Sequence, residues 1–144
     1  MKYAAVYIRF EGNHFYPSRL KEKTNYPIEV LAEYGEISAK GRYKGKPSPY
    51  GIGVLEIQAN KDKEDIYDII RKYSLELLYK KDYLQESGVE EIVFDIETSK
   101  DFTSEISISA EMLKDLSLLN ARVEFHTIND TENLRIKAEH ISDK

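Results

Sequence analysis

Cysteine is absent from the chain, which excludes a disulfide framework, a thiolate zinc site and a cysteine nucleophile together. Histidine is scarce. His14, His126 and His140 stand apart in the sequence, and no group of His, Asp and Glu has metal-ligand spacing along the chain. Neither a metal nor a cofactor is therefore expected. No apolar run approaches the roughly 20 residues that a membrane-spanning helix needs. The apolar start, Met1 to Phe10, alternates, is interrupted by Arg9 and offers no small-residue cleavage site. It reads as a first β-strand and not as a signal peptide, and the expected location is the cytoplasm. Repeats and low-complexity segments are missing as well.

What is present is an ordinary globular composition: 144 residues, 41% apolar and 33% charged. That length suits one domain with one core, expected over residues 1–128, with 129–144 as a polar tail or loosely docked helix. The net charge is −5. Residues 1–60 hold nine Lys/Arg against six Asp/Glu, or +3, and residues 61–144 hold twelve against twenty, or −8. An acidic body repels phosphates, so nucleic acid is not an expected partner, although one basic patch remains.

Ala4, Val6, Ile8 and Phe10 alternate with Tyr7 and Arg9, the pattern of a strand with one apolar face. Gly12-Asn13-His14-Phe15-Tyr16-Pro17 is a turn, with Pro17 placed to open a short helix that ends by Tyr26-Pro27. Residues 28–38 alternate again. Lys40 to Gly51 carries three glycines and two prolines, which predicts an exposed loop, and residues 52–58 resume a strand. Asp62 is a candidate cap for a helix whose stripe is Ile66, Ile69, Ile70, Tyr73 and Leu77, continuing toward Gly88 with a bend near Ser74. Residues 89–98 form a strand, with Ile92, Phe94 and Ile96 opposite Glu91, Val93, Asp95 and Glu97. Ser109 caps a helix carrying Met112, Leu113, Leu116 and Leu119, Asn120 suits a left-handed end, and Ala121 to Thr127 alternate as a last strand. The pattern predicts an α+β fold in β-α-β-β-α-β-α-β order: a mostly antiparallel five-stranded sheet with helices packed on one face.

Tyr7-Ile8-Arg9-Phe10 leading into Gly12-Asn13-His14-Phe15-Tyr16-Pro17, the Gly/Lys/Pro loop ending at Gly51, and the segment from Ile106-Ser107-Ile108-Ser109 through Ala121-Arg122-Val123-Glu124-Phe125 occur in a known order. Over residues 3–128 the chain resembles the bacterial domain of unknown function numbered 4279. Where that family usually carries a tryptophan after the Gly/Pro loop, this chain reads Gly53-Val54-Leu55. The resemblance implies a small α+β protein without established catalytic residues. Relatives of this size sometimes sit in toxin–immunity loci, which implies a toxin-neutralising role.

Among candidate sites, Glu91, Asp95 and Glu97 lie on the polar face of one predicted strand, with Asp101 close by in sequence. A row of carboxylates suits an immunity-type protein that occludes the basic groove of a toxin; the plainer reading is a solvated sheet face. The alternative site is the loop pair of His14 with Lys40, Arg42, Tyr43 and Lys44, a basic aromatic surface suited to a nucleotide or single strand. It lacks a phosphate-loop arrangement. His14 equally suits a purely structural role, with Phe15 plugging the core. No nucleophile, base and acid stand at a recognisable spacing, so the protein is expected to bind a protein partner and not to be an enzyme. Eleven tyrosines favour binding, since Tyr anchors interfaces.

Overall fold

The computed structural model describes residues 4–59, 65–99 and 107–128. Within them the chain forms β1 (Ala4–Gly12), α1 (Pro17–Thr24), β2 (Glu29–Ala32), β3 (Gly51–Gln58), α2 (Ile66–Tyr79), α3 (Lys81–Ser87), β4 (Glu91–Ser99), α4 (Ala110–Leu118) and β5 (Ala121–Ile128). The fold is α+β, with four helices and one mixed, mostly antiparallel sheet of five strands ordered β2-β3-β1-β4-β5. Asp101 and residues 129–144 lie outside the described residues.

Local chemistry sets the element ends. Pro17 opens α1, and Asn25 closes it in the left-handed conformation with φ 61°, which a short polar side chain tolerates. Ser109 caps α4 by accepting a hydrogen bond from Met112 N at 3.2 Å. The cap of α2 is Asp65, which accepts from Asp68 N at 2.8 Å; the expected cap, Asp62, lies outside the described residues. The helical stripe does not bend near Ser74, which is buried within α2. The break comes at Lys80, between α2 and α3, and Gly88 ends α3 with φ 96°.

The core lies on one face of the sheet. Val6, Ile8 and Phe10 of β1, Leu55 of β3 and Ile92, Phe94 and Ile96 of β4 cluster with Leu20, Ile69, Ile70, Leu77, Met112 and Leu116 from the helices. In β1, side chains two residues apart share a face, and β1 sits third of five, so its apolar face has neighbours on both sides. Three strand pairs are antiparallel, and β4 with β5 is parallel. A parallel pair needs a crossover, and α4 supplies it. Strand β2 covers only part of the alternating stretch 28–38. A register shift between Val30 and Ala32 interrupts its pairing with β3, which resumes at Ala32 and Ile52.

Candidate functional site

The loops at one end of the sheet are built by close backbone packing. A Cβ on Gly12 would collide with the Gly88 carbonyl, one on Gly88 with the His14 carbonyl, and one on Gly51 with the Phe15 carbonyl. Phe15 is fully buried in the core cluster, and Tyr16 N donates to Ser87 O at 2.9 Å. The Gly12–Pro17 turn is thereby fixed, with its exposed side chains pointing outward. His14 packs edge-on against Tyr34 at 4.7 Å, Tyr16 meets Tyr34 at 5.5 Å, and Arg19 lies 4.5 Å over Tyr16. Ser18 donates to Glu33, which ties α1 to the same corner.

Residues 33–50 are exposed at Lys40, Arg42 and Lys44 yet internally bonded. Gly35 N donates to Ser48 O at 2.8 Å, Ser48 N to Glu36 O at 2.9 Å, Gly45 N to Ser38 O at 2.9 Å and Lys46 N to Tyr43 O at 2.9 Å. Tyr43 stacks edge-on against Tyr50 at 5.9 Å. Burial, with Tyr43 nearby, pushes the Tyr50 phenol up from its ordinary value. Between this lobe and β2 lies a cleft of about 240 Å³, bordered by Val30, Ile37, Lys40, Arg42, Tyr43 and Tyr50. The fold thus joins His14, through Tyr34, to the base of the loop that carries Lys40, Arg42, Tyr43 and Lys44.

The acidic strand is placed differently from expectation. Glu91, Asp95 and Glu97 do share the face opposite the core, but Asp95 is 4% and Glu97 1% exposed. They form no open row of carboxylates. Part of the reason is position: β4 is an interior strand, flanked on the same face by Tyr7 of β1 and Glu124 of β5 at Asp95, and by Ala5 and His126 at Glu97. Only half-buried Glu91 reaches the surface, and Arg122 pairs with it. Arg122 also donates to Glu124 at 2.8 Å. That hydrogen bond, aided by the charges of Arg122 and Arg9, holds the Glu124 carboxyl below its ordinary value against the opposing effect of burial.

Parallel pairing sets Asp95 beside Glu124 and Glu97 beside His126, a two-by-two block on one face. His126 Nε2 lies 3.2 Å from Asp95 Oδ1 and 3.5 Å from Glu124 Oε1. One donor atom from each of Asp95, Glu97 and His126 falls within 4.8 Å of the others. The sequence reading found no metal-ligand spacing because these residues lie on two strands separated by a helix. The available signal was parity: Glu124 and His126 occupy the polar face of an alternating strand. No family model, curated protein or solved structure matches this chain.

Proposed function

We propose that this is a non-catalytic domain that works by binding another protein, in the manner of an immunity protein that neutralises a toxin. The observation that carries the reading is the prefolded loop end, where His14, Tyr16, Arg19 and Tyr34 form one aromatic and cationic surface. Tyrosine and arginine dominate binding hot spots, and loops already held by hydrogen bonds lose less entropy on association. The same class of role is what the resemblance to the family numbered 4279 implies. The contact surface moves, however, from the buried strand carboxylates to the loop end. Lys40, Arg42 and Lys44 make that end basic, so the partner's contact patch is acidic.

Co-expression with each protein encoded beside its gene tests this reading, followed by titration of any protein whose toxicity is relieved. Tyr16→Ala with Tyr34→Ala should weaken binding at least about tenfold, the scale of a lost hot spot. Unchanged affinity in that variant would sink the assignment of the surface. A second reading rests on the cleft beside Lys40, Arg42 and Tyr43, whose charge and stacking face suit a nucleotide. It predicts that Lys40→Glu with Arg42→Glu abolishes nucleotide binding, whereas Tyr16→Ala leaves it intact.

A further inference from the structure

Beyond that binding surface, we propose that Asp95, Glu97 and His126 form a site for one divalent transition-metal cation. Glu97 and His126 are register partners across β4 and β5, and Asp95 precedes Glu97 by two residues on the same face. All three side chains therefore rise from rigid, paired backbone, the kind of scaffold that holds ligands in place.

The geometry fits a shared ion. Two donors, each about 2.1 Å from a tetrahedral ion, stand roughly 3.4 Å apart, and His126 Nε2 is 3.2 Å from Asp95 Oδ1. The His126 Nε2 atom is withdrawn from solvent and faces the Asp95 and Glu124 carboxylates, while the imidazole keeps an exposed edge at 37% of its side chain. Two lone pairs at that distance repel, so either the N–H proton of the imidazole, in its neutral or charged form, or a metal ion lies between the two atoms.

Charge favours the metal. Asp95, Glu97 and Glu124 stand around one imidazole, with Arg122 and Arg9 as the flanking cations, and like charges withdrawn from water raise one another's energy. Arg122 is occupied by Glu91 and Glu124 on the flank of the block. A dication offsets two carboxylates where one proton offsets one. The donor set of one imidazole and two carboxylates suits zinc, cobalt or manganese over magnesium or calcium, which prefer oxygen alone. Three protein donors leave at least one position for water or an incoming ligand.

Competing sites are few: the chain has no cysteine and only three histidines. The test is titration of tag-free, chelator-stripped protein with Zn²⁺, repeated with Co²⁺, whose visible absorption reports nitrogen and oxygen coordination. The wild type should take up one equivalent, with a rise in Tm on saturation. His126→Ala and the near-isosteric Glu97→Gln should each weaken uptake at least about tenfold, with folding checked by circular dichroism. Because Glu97→Gln keeps the shape of the residue, it remains decisive should His126→Ala fail to fold. His14→Ala with His140→Ala should bind as the wild type does. The proposal is overturned by no uptake at about 100 µM metal, a level that stabilises any site of micromolar affinity; a hydrogen bond from His126 to the carboxylates then fills the gap. It is equally overturned if Glu97→Gln binds like the wild type.

Discussion

At Gly51 the backbone of β3 passes so close to the carbonyl of Phe15 that a methyl group has no room. The glycine is there for space and not for a left-handed turn, unlike Gly88 with φ 96°. Gly51→Ala should therefore destabilise the domain by roughly 1–3 kcal/mol, the usual cost of forcing atoms into a packed region. Urea unfolding measures it, and a loss below about 0.5 kcal/mol would show that the Gly12–Pro17 turn yields easily. The sequence displayed this stretch as a turn with an apolar plug, and Phe15 is that plug. It did not display that Gly12, Gly51 and Gly88 pack against the backbone of one another's loops, because that depends on three segments far apart in the chain.

Between elements, Arg122 fastens β5 to β4 by pairing with Glu91 while donating to its own neighbour Glu124. The Glu124 carboxyl is held below its ordinary value of 4.5 in the folded state. A depressed carboxylate contributes stability above its unfolded pKa and loses it as pH falls through the lower folded value. Arg122→Met raises the folded value toward the unfolded one. The variant should thus be less stable at neutral pH and lose less on acidification through and below the ordinary carboxylate range. Equal slopes of stability against pH in the two proteins, from denaturant titrations at several pH values, would contradict the assignment. Salt should shrink the difference, since both partners are partly exposed. The alternation of Arg122, Glu124 and His126 was legible in the sequence. Their facing Glu91, Asp95 and Glu97 in parallel register was not, because side-chain period fixes a face and leaves the neighbour open.

Across the whole molecule, the first strand of the chain is the middle strand of the sheet. β1 is complete only when β4 arrives, and β4 brings Ile92, Phe94 and Ile96 to the core cluster that α2 closes with Ile69 and Ile70. A fragment of residues 1–88 keeps β1, β2, β3 and the first three helices but loses that face, along with Met112 and Leu116. It should show no cooperative thermal transition by circular dichroism, since the remaining burial falls short of the chain entropy. A well-dispersed amide spectrum from the fragment would refute this dependence on β4.

Local physics alone made much of the molecule readable. Period two marked the faces of β1, β4 and β5, period 3.6 marked the stripe of α2, and Pro17, Ser109, Asn120 and Gly88 punctuated the elements. The tertiary structure decided strand order, the parallel pairing of β5, the folding of residues 33–50 onto themselves and the burial of Asp95 and Glu97. Side-chain periodicity is a property of a few consecutive residues, whereas neighbours and burial come from contacts between strands remote in sequence. That is why the same carboxylates that read as an open acidic row stand in the structure beside an imidazole from another strand.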